Sequence, residues 1–358
     1  MQTAYAPGRV ELLGNHTDYN EGFVLSAAID RGVTVTGEAT GTGLISLVSE
    51  ELGERLEIAE AAGVARQEAQ SWANYPLGVW ATFRNAGLPV GGFRASITSD
   101  LPLGAGLSSS AALEVATAKL LEKLFGLTLE PLELARLCRR AENEFVGVNC
   151  GLLDQVSSVF GRAGHAVFLD CREEKVEPVP FPAGVSLLIT QCGVPHQLSG
   201  GEYNERREQC FDAARRLGVR TLREVSSAQL LAAPDLPALS RSRALHVVGE
   251  NERVLAAVAA LRGGDVATIG RLMNQSHESS RRNFENSTPE LDRLVAIAQS
   301  LPYVHGARLT GGGFGGATVT LVEQGQAAAV ATELMARYHR ETGHTAQSCE
   351  CRLADGAR

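Results

Sequence analysis

The sequence lacks the features that mark several protein classes. No C-x-x-C pair occurs and the seven cysteines are scattered, so we expect reduced thiols rather than a disulfide framework or a metal site. No run of lysine and arginine offsets the net charge of −8, which argues against nucleic acid as a partner. The apolar stretches are too short to cross a bilayer, and residues 1–9 show no signal-peptide pattern. We therefore expect a cytoplasmic protein with no membrane partner.

The composition is that of a globular chain with a large core, with 358 residues, 44% hydrophobic and 21% charged. Strand-like and helix-like segments follow in an order that predicts an α+β fold rather than a doubly wound sheet. A polar joint containing proline within 160–185 predicts two domains, residues 1–170 and 171–358. Strands are predicted within 1–50 and at 93–100, 165–170, 185–190 and 305–323, and helices at 65–86, 111–124, 131–144, 152–160, 203–217, 240–262, 265–285, 290–300 and 326–341.

The most informative segment is Leu101-Pro-Leu-Gly-Ala-Gly-Leu-Ser-Ser-Ser-Ala-Ala112, which joins a predicted strand to a predicted helix. The first N–H groups of a helix have no partner within the helix, and the helix dipole places a partial positive charge there. Gly104 and Gly106 let the backbone approach a bulky anion, and the three serines offer hydroxyls to the helix end, to phosphate or to Mg²⁺. The segment therefore indicates either a phosphate-binding loop or a serine-capped helix.

A second glycine-rich segment, Gly311-Gly-Gly-Phe-Gly-Gly316, matches the G-x-G-x-x-G pattern of dinucleotide sites. That pattern requires a helix after the glycines, but residues 317–322 alternate as a strand does. We therefore predict a flexible loop that lies against a ligand or another backbone, and no dinucleotide site.

Two further segments place polar residues where they have a chemical or a structural use. Arg9 follows a proline and a glycine and can pair with a carboxylate or a phosphate. His16 and Asp18 lie in a predicted turn, where they either contact a ligand or, in the case of Asp18, simply form an Asx-type turn. Glu142 comes late in one predicted helix and Asp154 begins the next, where carboxylates can serve a hydroxyl nucleophile or a metal, or where Asp154 simply caps its helix.

These segments together resemble the galactokinases, which belong to the superfamily that also holds homoserine, mevalonate and phosphomevalonate kinases. The first motif of that family appears as Gly8-Arg-Val-Glu-Leu-Leu-Gly-Asn-His-Thr-Asp-Tyr-Asn20, and the second is the phosphate loop. The third is Leu309-Thr-Gly-Gly-Gly-Phe-Gly-Gly316. Two more family stretches, Gly151-Leu-Leu-Asp-Gln155 and Glu202-Tyr-Asn-Glu-Arg-Arg-Glu-Gln-Cys210, appear in order. The resemblance runs from about residue 4 to about residue 345.

The resemblance implies a two-domain GHMP-kinase-like fold with the active site in the cleft between the domains, the second domain contributing loop 311–316. It implies an enzyme that phosphorylates the anomeric hydroxyl of D-galactose with ATP and Mg²⁺, acting as a monomer on two small molecules. In these roles, Asp154 would accept the proton of the hydroxyl and Arg9 would stabilise the phosphoryl group. Sugar contacts are implied for Asn15, His16, Thr17, Asp18, Gly151 and Tyr203, ATP contacts for Gly104, Ala105, Gly106, Leu107, Ser108, Ser109, Ser110, Trp72 and Tyr75, and Mg²⁺ ligation for Ser110 and Glu142.

Two positions depart from the family pattern, and the one at Ser26, where proline is usual, is expected to be structural only. Most galactokinases have Glu-His-Thr-Asp where this sequence has Asn15-His16-Thr17-Asp18, and the Glu contacts a sugar hydroxyl remote from the reaction. An amide keeps an acceptor oxygen but loses the charge, so we expect a weaker contact at position 15 and tighter sugar binding after Asn15→Glu. Two alternatives stay open at this stage, a kinase for an N-acetylhexosamine or pentose, and a galactose sensor without activity.

Overall fold

Two β-sheets organise the fold in the computed structural model, which describes residues 1–102, 104–194 and 201–358. Leu103 of the phosphate loop therefore lies outside the described residues. The first sheet consists of β1 (Gln2–Leu13), β2 (Phe23–Ala39), β3 (Leu44–Ser49), β4 (Glu54–Ala59), β5 (Phe93–Ser99), β6 (His165–Asp170) and β7 (Lys175–Pro180). The second sheet consists of β8 (Val185–Gln191), β9 (Val304–Thr310), β10 (Ala317–Glu323) and β11 (Gln347–Cys351).

The long strand β2 is the centre of the first sheet. It pairs antiparallel with β1 along most of its length, with β5 through residues 33–39 and with β6 through residues 23–26. The order of the remaining strands is β4-β3-β5-β2-β6-β7, in which only the β3–β5 pair is parallel. The second sheet is antiparallel in the order β11-β8-β10-β9. Because β2 is paired with β1, β5 and β6, it fixes where β1 places its polar side chains in the first sheet.

The helices cover the two sheets, and several begin or end at residues that favour those positions. Proline occupies the first turn of two helices, at Pro131 and Pro289, where its missing N–H is not needed. Left-handed glycines, Gly126, Gly264 and Gly343, end three others. The helices are α1 (Asn74–Asn85), α2 (Ser109–Phe125), α3 (Pro131–Arg140), α4 (Leu153–Phe160), α5 (Gly201–Arg216), α6 (Ser227–Leu231), α7 (Ala238–Gly263), α8 (Val266–Ser279), α9 (Pro289–Ser300) and α10 (Ala327–Thr342).

The main hydrophobic core joins the two halves of the chain. It contains side chains of the first sheet and of α1 and α2 together with Leu187, Ile189 and Val319 of the second sheet and Val254 of α7. A separate cluster packs α9 and α10 on the second sheet, and another packs α5 against α7. In the described part of the chain, no helix combines the length and the apolar character needed to span a membrane.

Most predicted elements are present, and the departures concern the ends of three helices and the predicted domain boundary. The helix predicted at 65–86 begins only at Asn74, after a short 3-10 turn. The helices predicted to reach 144 and 285 end earlier, in π-helical segments at Ala141–Val146 and Ser280–Phe284. The predicted domain boundary after residue 170 falls inside a β-hairpin, because β7 pairs with β6. The first sheet thus continues through the polar segment to residue 180.

Close packing of α8 on β9 provides a test of the fold. A Cβ on Gly270 would lie 2.1 Å from the carbonyl oxygen of His305, which is rigid backbone. We expect Gly270→Ala to lower the free energy of unfolding by about 1–3 kcal/mol, the usual cost of overpacking. The matched control is Gly263→Ala at the end of α7, where a Cβ meets nothing within 4 Å. Urea unfolding followed by circular dichroism measures both, and equal stabilities for the two variants would contradict the close packing.

Candidate active site

A cavity of about 530 Å³ opens between β1, the start of α2, the start of α4 and the loop that joins β9 to β10. Its volume is in the range of small-molecule sites. Both halves of the chain contribute to its wall, the first through its sugar and phosphate motifs and the second through α5 and the glycine-rich loop. The predicted site residues that line it are Arg9, Asn15, His16, Asp18, Tyr75, Gly104, Ala105, Gly106, Leu107, Ser108, Ser109, Ser110, Glu142, Gly151, Asp154 and Tyr203.

The centre of the cavity wall is an ion pair between Arg9 and Asp154. Arg9 Nε donates to Asp154 Oδ1 at 2.7 Å, and Arg9 Nη1 donates to the carbonyl oxygen of Gly106 at 2.6 Å. The second carboxylate oxygen, Oδ2, accepts from Ser108 Oγ at 2.6 Å. The Arg9 side chain is only 7% exposed, whereas that of Asp154 is 24% exposed. Asp154 is therefore held on two sides and still open to a ligand.

The phosphate loop turns sharply before α2. Gly104, Gly106 and Ser108 all have positive φ, at 69°, 64° and 54°. For Ser108 this left-handed conformation is uncommon in a residue other than glycine, asparagine or aspartate. No side chain caps α2, because the Ser108 hydroxyl bonds to Asp154 instead. The structure thus excludes the serine-capped alternative. The first N–H groups of α2 have no capping side chain, and they lie at the end of the helix that borders the cavity.

Asp154 is also not a helix cap. The residue that precedes α4 in the N-cap position is Leu152, and no side chain caps this helix. Asp154 lies in the first turn, where a negative charge is favoured by the helix dipole. Its side chain instead bonds to Arg9 and Ser108 and lines the cavity.

His16 is held as a neutral ring with a defined tautomer. Burial lowers the pKa of His16 to about 4. Its Nε2 lies 3.0 Å from the carbonyl oxygen of Gly312, which can only accept, so Nε2 carries the proton. Nδ1 then accepts from the Tyr19 hydroxyl at 2.9 Å. Both ring nitrogens are thereby hydrogen-bonded to the protein, and the ring packs against the rings of Tyr203 and Phe284.

Asp18 and Gly151 meet closely at the cavity. A Cβ on Gly151 would lie 2.0 Å from Asp18 Oδ2, so a larger residue at position 151 would displace this carboxylate. Asp18 Oδ1 accepts from the backbone N–H of Tyr19 at 2.9 Å. Burial raises the pKa of Asp18 to about 6, and the nearby carboxylate of Asp154 adds to the effect. The pair therefore presents a partly buried carboxyl group to a ligand.

Glu142 lies in the first π-helical segment, opposite the phosphate loop. Its Oε2 accepts from Gln155 Nε2 at 2.7 Å, and the same amide nitrogen donates to Glu114 at 3.0 Å. Burial raises the pKa of Glu142, and the charge of Asp154 raises it further, whereas contacts with Cys150, Gln155 and Ser110 oppose the rise. None of these hydrogen-bonding groups is a cation. Ser110 and Glu142 thus form an adjacent pair of hard oxygen donors, and no cationic side chain of the described residues is hydrogen-bonded to Glu142.

The amide of Asn15 is bound by three protein groups. Its Nδ2 donates to Glu11 Oε1 at 3.0 Å and to the carbonyl oxygen of Gly311 at 2.8 Å. Its Oδ1 accepts from Asn286 Nδ2 at 2.8 Å. Asn15 still lines the cavity, but both hydrogens of its amide are already in use.

Two predicted ligand contacts are not brought into the cavity wall. Thr17 is fully buried, and its hydroxyl lies within hydrogen-bonding distance of the carbonyl oxygens of Gly14 and Phe23. It therefore stabilises the turn after β1 instead of facing a sugar. Trp72 lies outside the residues that line the cavity, and its indole N–H donates to Glu54. Tyr75 from the same stretch does line the cavity.

Several residues of the site were missed by sequence reasoning. Glu11 and Cys150 line the cavity, while Gln155 and Asn286 hold the residues that do. One signal was available for Glu11, because Arg9 and Glu11 are two apart in a strand and so share a face. Cys150 and Gln155 adjoin Gly151 and Asp154 in the sequence, whereas Asn286 comes from a distant segment and has no local signal.

Comparisons with known proteins agree with this geometry. The family model of the galactokinase galactose-binding signature matches residues 2–38. The models of the GHMP kinases N terminal domain and the GHMP kinases C terminal match residues 74–162 and 257–340. The three matches cover the cavity-lining parts of β1, the phosphate loop and the glycine-rich loop.

The chain is similar to galactokinases over nearly its whole length. It is 45% identical to the galactokinase of Roseiflexus sp. (strain RS-1), over 98% of this chain and 91% of that one. It is 44% identical to that of Homo sapiens, over 99% and 91%. The solved Lactococcus lactis galactokinase, complexed with galactose, superposes with a TM-score of 0.95 at 33% identity, covering 100% of this chain and 94% of that chain. A mevalonate kinase, at 20% identity and a TM-score of 0.72, shares the fold.

The raised pKa of Asp18 makes stability depend on pH. The folded chain holds a proton up to about pH 6 that the unfolded chain releases near pH 3.8, so this contribution to stability is full at low pH and lost as the pH rises through about 6. Relative to Asp18→Asn, the wild type should lose up to about 3 kcal/mol between about pH 4 and pH 7. Urea unfolding of both proteins without ligand at a series of pH values measures this. Parallel profiles would contradict a buried, proton-binding Asp18.

Proposed function

Because the chain belongs to the galactokinase family of the GHMP kinases, we propose that it transfers the γ-phosphoryl group of ATP to the anomeric hydroxyl of D-galactose. The products are galactose 1-phosphate and ADP. The observation that carries the proposal is the 2.7 Å ion pair between Arg9 of the sugar motif and Asp154 of α4, which lies beside the phosphate loop. The similar galactokinases reported above give no support to an enzyme for other sugars or to an inactive sensor.

Asp154 is the group we assign to the proton of the sugar hydroxyl. In the reaction a bond forms between the anomeric oxygen and the γ-phosphorus, and the bond from that phosphorus to the oxygen bridging to the β-phosphorus breaks. The hydroxyl proton passes to the Asp154 carboxylate, and ADP leaves with the bridging oxygen. Each carboxylate oxygen already accepts one hydrogen bond and has a lone pair left. The ion pair and Ser108 fix the direction of the carboxylate toward the hydroxyl.

Arg9 is the group we assign to the charge of the transferring phosphoryl. Its Nε and Nη1 are held by Asp154 and Gly106, and Nη2 has no hydrogen-bonding partner among the described residues. A guanidinium fixed in this way can donate from Nη2 to a phosphoryl oxygen without first becoming ordered. Phosphoryl transfer depends mainly on such positioning and charge stabilisation.

The loop 104–110 is proposed to hold the ATP phosphates. Its two left-handed glycines bring the backbone close to the cavity, and the uncapped N–H groups at the start of α2 can donate hydrogen bonds to an anion. Tyr75, on the neighbouring α1, and Trp72 just before this helix are the residues we propose to lie near the adenine; Tyr75 lines the cavity, and the Trp72 indole N–H donates to Glu54.

Mg²⁺ is proposed as the metal, held by Ser110 and Glu142. These residues fit it, because Mg²⁺ takes hard oxygen ligands, needs only one or two from the protein and keeps the rest as water and phosphate oxygens. The carboxylate of Glu142 is buried with no cation among its hydrogen-bonding partners, which favours a divalent ion beside it. When bound, the ion would neutralise charge on the β- and γ-phosphates.

We also propose that the chain acts as a monomer in the cytoplasm, where its substrate ATP is available.

The proton-accepting role predicts the behaviour of Asp154→Asn. The amide keeps the shape and an acceptor oxygen but cannot take the proton, so kcat should fall by about 100-fold or more. Galactose binding measured by calorimetry should change far less, and circular dichroism should show an unchanged fold. A coupled assay of ADP release measures the rate. Near-normal turnover of the variant would remove Asp154 from the proposed chemistry.

The metal assignment predicts a separation of two binding steps in Ser110→Ala. Loss of one oxygen ligand should raise the KM for ATP and the Mg²⁺ concentration required for half-maximal rate, each by about tenfold, a loss of order 1.4 kcal/mol. Galactose binding measured without nucleotide serves as the internal control and should be unchanged. Weaker galactose binding with unchanged use of ATP would overturn the assignment.

A further inference from the structure

We propose that Glu11 is a sugar-binding residue of this site, in which its carboxylate supplies the acidic acceptor that Asn15 does not. The proposal deepens the function proposed above and rests on it. Glu11 lies two residues after Arg9 on the same face of β1 and lines the same cavity. It lies within the first motif, Gly8–Asn20, where the family resemblance assigns it no role.

The Glu11 backbone, opposite Ser26 in the β1–β2 pair, is also held by Thr310 of β9. The Glu11 N–H donates to Thr310 Oγ1 at 3.0 Å, and the same hydroxyl donates to the Glu11 carbonyl oxygen at 3.1 Å. The position of the side chain is therefore set by the contact between the two halves of the chain, at the wall of the cavity.

The Glu11 side chain is bound through only one of its oxygens. Oε1 accepts from Asn15 Nδ2 at 3.0 Å and faces the buried Arg308 Nη2 at 3.1 Å. Oε2 has no hydrogen-bonding partner among the residues that the structure describes. Glu11 lines the cavity, and Oε2 is not one of the atoms that are buried without a partner, so this oxygen keeps access to the cavity. Oε2 is therefore available to accept from a hydroxyl in the cavity.

Charged and polar neighbours partly offset the cost of burying the Glu11 carboxylate. Burial raises the pKa of Glu11 and the charge of Glu250 adds to the rise, whereas Arg308, Arg9 and the hydrogen bond from Asn15 oppose it. A hydrogen bond from a sugar hydroxyl to a carboxylate is roughly twice as strong as one to a neutral amide. Glu11 can thus give the binding strength that the neutral side chain at position 15 cannot.

The same contacts assign Asn15 a positioning role. Both hydrogens of its amide are donated, one to Glu11 and one to Gly311, so it holds the carboxylate in place. A carboxylate at position 15 would face Glu11 Oε1 and the Gly311 carbonyl, with no proton to donate to either. Asn15→Glu should therefore weaken galactose binding, opposite to the expectation drawn from sequence alone. That expectation took no account of Glu11.

The first test couples Glu11 to individual sugar hydroxyls. Wild type and Glu11→Gln are assayed with galactose and with its 3-, 4- and 6-deoxy analogues, for kcat/KM and for binding by calorimetry. We expect Glu11→Gln to weaken galactose about tenfold, while leaving unchanged the one analogue that lacks the bound hydroxyl. The KM for ATP should stay within about twofold. Equal losses for galactose and all three analogues would overturn the proposal.

Thr310→Val is the matched control for this test. It removes the hydroxyl bonded to the Glu11 backbone but leaves the carboxylate, so any loss it causes should be the same for galactose and every analogue. A hydroxyl-specific loss in Thr310→Val equal to that in Glu11→Gln would overturn the assignment to the carboxylate. Wild type that releases no ADP with galactose and ATP would instead defeat the proposed function itself, which separates the two failures.

The second test exchanges the two residues and does not depend on Glu11→Gln folding. Glu11→Asn and Asn15→Glu are made singly and together, because the double variant keeps one carboxylate and one amide in contact. Each single variant should bind galactose at least about tenfold more weakly than wild type. The double variant should recover to within about threefold of wild type. A double variant no better than the weaker single variant would overturn the proposal.

Discussion

The site depends on the guanidinium of Arg9 more than on any other group. It joins three segments that are distant in the sequence, since it lies on β1, bonds Asp154 at the start of α4 and bonds the Gly106 carbonyl in the phosphate loop. A buried arginine requires such partners, because an unpaired charge away from water is costly. The same requirement that stabilises Arg9 therefore aligns the carboxylate that meets the sugar with the loop that meets the phosphates.

A second polar connection ties the sugar motif to the other half of the chain. Glu250 of α7 accepts from the backbone N–H groups of Gly14 and Asn15. Burial opposes the charge of Glu250, but Arg253 beside it holds the pKa of Glu250 below its ordinary value. On β9, the buried Arg308 donates to the Leu12 carbonyl oxygen. The turn after β1 is thus shaped by α7 and β9, and the shape of the sugar cavity is a property of both halves.

The fold and the chemical parts of the site were largely accessible from the sequence, because they follow from local patterns. Alternation and helical periodicity predict most strands and helices, and glycine and serine before a helix predict the phosphate loop. Patterns cannot predict where a helix changes its hydrogen bonding. The π-helical segments at Ala141–Val146 and Ser280–Phe284 each turn a polar residue toward the site or its support, Glu142 in one case and Asn286 just after the other.

The sequence by itself determined the family, the α+β architecture and which residue types carry the chemistry, since these depend on motifs within single segments. Only the tertiary structure decided what each side chain faces. It turned Thr17 inward, bound Trp72 to Glu54, used Ser108 to hold Asp154 and placed Glu11 beside Asn15. These outcomes depend on hydrogen-bond partners that come from distant segments. A polar group that leaves water takes whichever partner the fold brings near, and sequence spacing does not reveal which one that is.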